Sequence, residues 1–381
     1  MMERFGQPEW RIRDVARAAV ADEALSRPDW TSSVPRDPGL LWLDKNENRD
    51  PDLAIVTARV VAEVLAGAGS RWLNTYPDST PLYEKLASYV GCTPRNLMLA
   101  AGSDGVIRSV FEAFVNPGDV VMHTVPTFAM YPVYARMYGA RVTPLGYART
   151  AGGPALSVEN VVSTIRQVRP KLMCLPNPDS PTGTAFTADD LRRIVDACVS
   201  VGAVILVDEA YYPFHPATIA DWVASTPNLI VARTFAKAWG LAGLRIGYAI
   251  AHEETAGLLH KVRPMYEVNT VAVAVMERML DFAGDMQASV NRLNSGRDGF
   301  LDQMEALGLS TVRAKGNFLH VSFGSFEPDV YRALEALVIY RRDGGDGCLK
   351  GYSRFSAATP ALFAPIIERI STIVSTGQKG N

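Results

Sequence analysis

The chain has 381 residues, of which 48% are hydrophobic and 20% are charged, and its formal net charge at pH 7 is -2. This balance lacks the basic excess that binds nucleic acids and anionic membranes, so we predict neither partner. The four cysteines lie far apart and the five histidines fall in no ligand spacing, which argues against a disulfide framework and a bound metal.

Two features of the sequence bear on the cellular location of the protein: its apolar runs and its N-terminal segment. No apolar run approaches the roughly 18 residues that a membrane span needs. The first 26 residues lack the apolar block of a signal peptide. With the widely spaced cysteines, these features predict a cytoplasmic protein.

The predicted elements alternate over most of the chain. The first 50 residues contain a helix and a short extended piece, LLWLDKN. Between residues 96 and 251, seven apolar runs alternate with amphipathic helical patterns: NLMLAAG, DVVMHTV, RVTPLGY, KLMCLP, AVILVDEA, NLIVARTF and GYAIA. This alternation predicts an α/β domain in which helices flank both faces of a mostly parallel sheet, of the seven-stranded type.

The pattern changes after residue 270. A helical stretch over about 270–307 precedes two isolated strands, NFLHVSF and LVIYRRD, and an amphipathic helix follows near 360–376. We therefore predict a smaller α+β domain built from both chain ends. The predicted divisions are 1–60 for an N-terminal segment with part of the small domain, 61–270 for the large domain and 271–381 for the small C-terminal domain.

Candidate site residues follow the predicted strands, because parallel sheets bind ligands beyond the carboxyl ends of their strands. The first strand of the alternating region runs into a turn of Gly102, Ser103 and Asp104 that opens a helix. Free N–H groups at a helix N-terminus suit a phosphate, although a plain helix cap is the commoner explanation.

Later strand ends add an aromatic ring, a polar loop and a carboxylate. Phe128 either stacks on a flat heterocycle or belongs to the core. Asp208 ends the buried run AVILVD and needs a cationic partner, which is either a protonated pyridine nitrogen or an arginine. The loop CLPNPDSPTG is either an ordinary turn or offers a ligand four side chains: Asn177, Asp179, Ser180 and Thr182.

Lys237 stands alone in the small-residue run RTFAKAWGLAGLRIG, between Thr234 and Arg245. It is either a snorkelling lysine on an ordinary helix or a lysine bonded to a cofactor aldehyde. The second interpretation is favoured because the candidates match every functional group of pyridoxal phosphate. They supply an amine for the aldehyde, a carboxylate for the ring nitrogen, an arginine and a turn for the phosphate, and an aromatic for the ring.

The sequence resembles the class I and II pyridoxal-phosphate-dependent aminotransferases of the aspartate aminotransferase fold, and most closely their histidinol-phosphate aminotransferase branch. The matching blocks are LDKNEN, NTYPD, GSDG, VPTFAMY, NPDSPTG, VDEAYYPF, RTFAKAWGLAGLRIGY, KVRPMYEVN, GNFLHV and SRFSAATP. The resemblance implies a homodimer with shared active sites. It also implies transfer of an amino group from an amino acid or related primary amine to a 2-oxo acid, by a ping-pong aldimine/ketimine mechanism.

The resemblance assigns roles to individual residues. It implies that Lys237 forms the Schiff base and acts as the base, that Asp208 pairs with the pyridine nitrogen, and that Tyr211 hydrogen-bonds the phenolic oxygen. Phe128 would stack on the ring. The other implied cofactor contacts are Gly102, Ser103, Asp104, Ser180, Thr234 and Arg245, with Tyr76 from the neighbouring subunit. The implied substrate contacts are Arg354, Arg341, Asn46 and Glu267.

Three positions depart from the family pattern. Ser180 and Glu267 each stand where an asparagine is usual, and Ala236 replaces a phosphate-binding serine. Altered contacts to the phenolic oxygen and the phosphate would tilt the cofactor ring, so a decarboxylase or an amine oxidase on the same fold is the alternative function. A non-catalytic descendant would be expected to lose Lys237 or Asp208, and both are present.

Two of the implied substrate contacts favour opposite charges on the substrate. Glu267 would favour a substrate with a cationic side chain, unless it only forms a salt bridge. Arg341 matches a second substrate-binding arginine of the histidinol-phosphate branch and would favour a phosphate.

Overall fold

The computed structural model describes residues 15–25, 35–68, 74–342 and 347–379. The outer ends of the predicted first and last domains, residues 1–14 and 380–381, lie outside the described residues. The helices of the described part are α1 (Ala18–Ala21), α2 (Pro51–Ala68), α3 (Thr80–Val90), α4 (Gly102–Phe114), α5 (Met130–Met137), α6 (Val158–Val168), α7 (Ala188–Val201), α8 (Glu253–Val262), α9 (Thr270–Met279), α10 (Ala283–Ala306), α11 (Glu327–Leu334) and α12 (Pro360–Lys379).

The strands of the same residues are β1 (Leu41–Trp42), β2 (Leu97–Ala100), β3 (Val120–Val125), β4 (Arg141–Gly146), β5 (Ala148–Thr150), β6 (Gly153–Ala155), β7 (Leu172–Pro176), β8 (Val204–Asp208), β9 (Leu229–Thr234), β10 (Gly247–Ala251), β11 (Ser310–Val312), β12 (Phe318–Ser322), β13 (Val338–Ile339) and β14 (Ser353–Ser356). Seven of them form one sheet in the order β2-β10-β9-β8-β7-β3-β4. β10 is antiparallel to both neighbours, and the other neighbouring pairs are parallel. These seven strands are the seven apolar runs, so the predicted sheet is confirmed.

The large sheet is buried on both faces except at its edge strand β4, because the other strands are apolar at successive positions. In β8, Ile205 and Val207 pack in one core while Leu206 packs in the other, as expected when side chains alternate along a strand. Helices α2, α3, α6, α7 and α9 cover the first core, and α4, α5 and α8 cover the second. The carboxyl ends of the parallel strands therefore open at one edge between two helical layers.

A smaller α+β domain draws on both chain ends, as predicted. Strands β11, β12 and β14 form an antiparallel sheet, and β1 pairs with β13 across nearly 300 positions of sequence, with Leu41 opposite Val338. A third core collects side chains from α10, α11 and α12 over this sheet.

Helix α10 joins the two domains. Val290 in its first half packs in the large-domain core, whereas Phe300 and Leu301 pack in the small-domain core. The predicted division between residues 270 and 271 stays a prediction, and we propose from this packing that the division falls within α10. The hairpin β5–β6 was not predicted from the sequence.

Three general features of the described residues concern ligands and location. None of their helices is long and apolar enough to cross a bilayer. They hold no cluster of three His, Cys, Asp or Glu residues able to bind a metal ion. The four cysteines are free thiols, three of them buried.

Candidate active site

A cavity of about 180 Å³ opens at the carboxyl ends of the parallel strands. Proline and alanine side chains complete a wall that carries nine of the eleven predicted cofactor residues: Ser103, Asp104, Phe128, Ser180, Asp208, Tyr211, Thr234, Lys237 and Arg245. These residues come from six separate segments of the chain. The fold thus brings together the side chains that the sequence analysis selected one strand end at a time.

One end of the cavity is built to receive an anion. Helix α4 begins at Gly102, and Ala101 before it has no side chain that could accept a capping hydrogen bond, so the first N–H groups of the helix are available to a ligand. A Cβ on Gly102 would lie 3.0 Å from the Arg245 guanidinium, and a Cβ on Gly247 would lie 2.7 Å from the Ser103 backbone nitrogen. Glycine at these two positions lets helix, strand and arginine converge.

Asp208 lies at the end of β8 and is buried. Its carboxylate accepts hydrogen bonds from the Tyr131 hydroxyl at 2.9 Å and from the Ala210 N–H at 3.0 Å. Burial raises the pKa of Asp208 to about 6, and these bonds oppose the rise. The arginine that could have neutralised this strand end pairs with the next residue instead, since Arg233 contacts Glu209 at 2.9 Å. Asp208 is thus left facing the cavity.

Lys237 is not a snorkelling lysine on a helix. It lies in the bend after β9, where its half-buried side chain lines the cavity and its Nζ donates to the Lys45 carbonyl at 2.8 Å. Burial, with Arg354 and Arg245 nearby, lowers the pKa of Lys237 to about 8, while Glu47 and Asp208 act in the opposite direction. An amine with this pKa is a far better base and nucleophile near neutral pH than an ordinary lysine.

Tyr211 stands beside the cavity with its ring against Phe318, at 5.3 Å between ring centroids. Its hydroxyl accepts a hydrogen bond from the Asn46 amide at 2.9 Å. Burial raises the pKa of Tyr211, and the Ser180 hydroxyl, the charge of Arg354 and the Asn46 bond oppose the rise. Asn46 itself has a left-handed backbone, with φ of 55°. This conformation is unfavourable for a residue other than glycine, and the network of contacts holds it in place.

The predicted substrate arginine, Arg354, lies on β14 beside the aromatic ring of Phe318, at 5.6 Å from the ring centroid. One of its terminal nitrogens donates to the Asp44 carbonyl at 3.0 Å, but its buried Nε has no partner among the described residues. Burial lowers the pKa of Arg354. Arg341 is its backbone neighbour, with N–H to carbonyl distances of 3.0 and 2.8 Å, and carries an exposed side chain.

Tyr76 and Glu267 are also among the predicted residues that do not line the cavity. Tyr76 is 76% exposed and stacks on Tyr266 at 4.3 Å between ring centroids. Glu267 turns toward helix α4, where its Oε1 accepts the Ala101 N–H at 3.1 Å and would lie 2.8 Å from a Cβ on Gly105. This contact is structural, but it is a hydrogen bond from a backbone N–H and not the salt bridge that was the alternative to substrate binding.

Sequence reasoning missed some contributors and misplaced others. Tyr131, the donor to Asp208, stood within the quoted block VPTFAMY but gave no signal of its role. Lys45 contributes only a backbone carbonyl, which a sequence pattern cannot reveal. In the loop 177–183, only Ser180 of the four polar candidates lines the cavity, because Asn177, Asp179 and Thr182 are buried and bind within the protein.

Comparison with known proteins also indicates an aminotransferase. The family model described as aminotransferase class I and II matches residues 38–370. The chain is 35% identical to the histidinol-phosphate aminotransferase of Thermoanaerobacter pseudethanolicus over 277 residues, which cover 72% of this chain and 77% of that protein. It is 34% identical to the protein of the same name from Roseiflexus castenholzii over 322 residues, which cover 82% and 84% of the two chains.

Solved structures share the fold at lower identity. The histidinol-phosphate aminotransferase of Sinorhizobium meliloti, solved in complex with pyridoxal-5'-phosphate, superposes with a TM-score of 0.74 at 22% identity, over 88% of this chain and 91% of that chain. A double mutant of the aspartate aminotransferase of Thermus thermophilus superposes with a TM-score of 0.72 at 21% identity, over the same shares. These likenesses confirm the predicted aspartate aminotransferase fold.

Proposed function

This chain belongs to the class I and II aminotransferases and is a transaminase, and from that premise we propose which residues hold its cofactor, pyridoxal phosphate, and which kind of amine it accepts. One observation carries the proposal. A single cavity holds a buried carboxylate, a lysine of lowered pKa and an uncapped helix N-terminus. An aldehyde, a ring nitrogen and a phosphate each find a complementary group there.

The donor set of the cavity fits pyridoxal phosphate. The phosphate would be held by the N–H groups at the start of α4, the Arg245 guanidinium and the Thr234 hydroxyl, a combination that favours a doubly charged anion. Asp208 would accept the ring N–H, and Phe128, which is 39% exposed, offers a ring face for stacking. Tyr211 and Ser180 would serve the phenolic oxygen.

When bound, pyridoxal phosphate supplies an aldehyde that bonds to amines and a ring that withdraws electrons from the substrate carbon. Asp208, whose pKa burial raises to about 6, is mostly ionised at pH 7 and keeps a proton on the ring nitrogen. Tyr131 and the Ala210 N–H hold its carboxylate in place. Lys237 Nζ takes the proton that leaves the substrate carbon, a role that its lowered pKa of about 8 suits.

The substrate class follows from Arg354. Arg354 is half-buried, and its buried Nε, which has no partner among the described residues, is costly to leave unpaired unless an oxyanion binds it. We therefore propose an amine donor that carries a carboxylate or a phosphate, with Arg341 at the rim for a second negative charge. The relatives named histidinol-phosphate aminotransferase support the phosphate, and the aspartate aminotransferases of the same fold support the carboxylate.

A homodimer is also part of the proposal. Tyr76, Met265 and Tyr266 form an exposed apolar patch, which we call the tyrosine patch, with exposed fractions of 76%, 81% and 47%. Exposed apolar residues in such a cluster favour an interface, and Tyr76 would then reach the neighbouring subunit's cofactor. The cytoplasmic location remains our prediction from the sequence.

The test is a single turnover without an acceptor. The protein loaded with pyridoxal phosphate is mixed anaerobically with a panel of α-amino acids, phosphorylated primary amines and cationic amines. We expect one donor of the anionic class to give stoichiometric oxo product, with its nitrogen recovered as pyridoxamine phosphate by mass spectrometry. Release of carbon dioxide, or turnover only when oxygen is admitted, would establish the decarboxylase or oxidase alternative instead.

Two variants, Arg354→Gln and Glu267→Gln, test whether the substrate is anionic or cationic. We expect Arg354→Gln to raise the donor's KM by about tenfold or more, because a charge-assisted bidentate contact is lost. Glu267→Gln should leave the preference between cationic and anionic amines unchanged, since its carboxylate contacts α4. A shift of preference away from cationic amines in that variant would support the cationic-substrate hypothesis.

A further inference from the structure

Asp179 is a buried carboxylate that the proposed chemistry does not use. Its side chain is 0% exposed, and no ion pair involves it among the described residues. Three hydroxyls donate to its carboxylate, Thr124 at 2.5 Å and Tyr147 at 2.9 Å on Oδ2 and Thr127 at 3.1 Å on Oδ1, and the Ser180 backbone N–H adds a further hydrogen bond. A buried charge satisfied by neutral donors alone is expensive to keep.

The three hydroxyls come from segments that frame the cavity. Thr124 lies at the end of β3, and Thr127 is the residue directly before Phe128, whose ring lines the cavity. Tyr147 follows β4 at the edge of the sheet. Asp179 belongs to the loop after β7 and stands between Pro178 and Ser180, which both line the cavity. One carboxylate thus ties the segment that carries the ring-stacking residue to the loop that carries Ser180.

We propose that Asp179 is a positioning residue, which holds Phe128 and Ser180 in register on two sides of the bound cofactor ring through its three hydroxyl donors. The proposal rests on the proposed function, in which those two residues contact pyridoxal phosphate. Asp179 lies behind the cavity wall, so it acts through its neighbours and touches neither cofactor nor substrate.

The chemistry of the carboxylate explains why an acid stands here. Two carboxylate oxygens offer about four acceptor sites, enough for three hydroxyl donors, whereas an amide offers one oxygen and turns two N–H groups toward the other donors. Burial raises the pKa of Asp179 to about 7, and the hydrogen bonds from Thr124, Tyr147 and Thr127 oppose the rise. The bonds therefore keep the ionised form accessible near neutral pH.

The experiment compares Asp179→Asn with Asp196→Asn, a matched control on the exposed face of α7. Each protein is stripped of cofactor and titrated with pyridoxal phosphate at pH 8, and the visible absorption and circular dichroism of the bound cofactor are recorded. We expect Asp179→Asn to bind on the order of tenfold more weakly, because a network of charge-assisted hydrogen bonds is broken. The bound cofactor should also lose most of its circular dichroism, which reports a tilted ring, while Asp196→Asn matches the wild type.

A merely structural role gives a different result. If Asp179→Asn lowers the urea midpoint of the cofactor-free protein but leaves both the affinity and the circular dichroism unchanged, the proposal is overturned. Should Asp179→Asn fail to fold, Thr127→Val and Tyr147→Phe each remove one donor and are expected to shift both cofactor readouts in the same direction, and wild-type values in both would overturn it. Failure of the wild type itself to give a visible band would contradict the proposed function rather than the role of Asp179.

Discussion

At the scale of single residues, the surroundings of a side chain decide its chemistry. Lys237 and Asp208 have ordinary side chains, yet burial moves the pKa of the amine down to about 8 and that of the acid up to about 6. Each shift brings the pKa of the group closer to neutral pH. Groups that transfer protons near pH 7 work best with a pKa in that range. The sequence identified both residues by position but contained no measure of either shift.

The lowered pKa of Lys237 predicts how the cofactor-free protein takes up pyridoxal phosphate. Only the neutral amine attacks the aldehyde, so the rate of covalent attachment should rise with pH and level off above about pH 8. Arg354 contributes to the lowering, and Arg354→Gln should therefore move the plateau to higher pH, while Arg354→Lys keeps it in place. Borohydride trapping followed by mass spectrometry measures the rate. An unmoved plateau in Arg354→Gln would show that the Arg354 charge does not lower the pKa of Lys237.

His320 predicts the acid sensitivity of the fold. It lies on β12 directly opposite Arg354, is 1% exposed, and neither ring nitrogen has a hydrogen-bond partner among the described residues. Burial, with the nearby Arg354 charge, lowers its pKa to about 3. The unfolded chain therefore protonates His320 below about pH 6.5, whereas the folded chain does so only near pH 3. The free energy of unfolding is unaffected by His320 above pH 6.5 and decreases as pH falls toward 3.

The corresponding variant is His320→Leu. Wild-type stability should fall by about 2 kcal/mol more than that of His320→Leu between pH 7 and pH 5, because the variant has no imidazole to protonate. Urea unfolding at a series of pH values measures the difference. His252→Asn, which keeps a capping side chain at the start of α8, serves as the control and should retain the wild-type slope. Parallel slopes for the wild type and His320→Leu would refute the prediction.

At the scale of elements, the start of helix α4 shows what local patterns can and cannot specify. The turn of small residues predicted that a helix follows it, and in the structure the helix includes the turn and begins at Gly102. The helix end is open to a ligand because of two distant parts of the chain. Gly247 of β10 passes beside the helix end, and Arg245 reaches it from more than 140 positions away. Such approaches are set by the packing of elements that are distant in sequence.

Gly247→Ala tests this close approach. The added Cβ would lie 2.6 Å from the Gly102 carbonyl carbon and 2.7 Å from both the Arg233 oxygen and the Ser103 nitrogen, so backbone must move. We expect a loss of about 2 kcal/mol or more in unfolding free energy, since overpacking against backbone cannot be relieved by a rotamer change. Cofactor affinity should fall by about tenfold or more as the helix end shifts. Equilibrium dialysis of pyridoxal phosphate and urea unfolding measure the two effects.

The control for that prediction lies four residues earlier. Gly243 has no heavy atom within 4 Å of its would-be Cβ, so Gly243→Ala should match the wild type in both measurements. Equal behaviour of Gly247→Ala and Gly243→Ala would mean that the α4 start tolerates displacement and is not a rigid phosphate site.

At the scale of the whole molecule, the exposed tyrosine patch lies apart from both hydrophobic cores of the large domain. Two of its side chains, Tyr76 and Tyr266, stack on each other, and all three side chains are exposed. Within one chain this arrangement leaves apolar surface in water, and a second copy of the chain would cover it.

Met265→Glu is the variant that tests the dimer. A carboxylate at a position that is 81% exposed in the single chain costs little there but would be buried in an interface across the tyrosine patch. We expect sedimentation velocity to show monomers at micromolar concentration, together with a large loss of transaminase activity if Tyr76 completes the neighbouring site. Val199→Glu, at an exposed position of α7, should stay dimeric. A dimeric Met265→Glu protein would place the interface elsewhere.

The sequence by itself determined the elements and the candidate chemistry of this protein. Apolar runs and helical periodicities are local properties, and they predicted all seven strands of the large sheet. The rule that ligands bind beyond strand ends then selected Asp208 and Lys237, whose side chains do meet in one cavity.

Only the tertiary structure decided which atoms meet. The bond from Asn46 to Tyr211 spans 165 positions and that from Lys237 to the Lys45 carbonyl spans 192. The inward turn of Asp179 and the contact of Glu267 with α4 likewise have no local pattern. Contacts of this kind depend on how distant elements pack, because a polar side chain takes whichever partner packing leaves within reach, and a sequence motif does not contain that information.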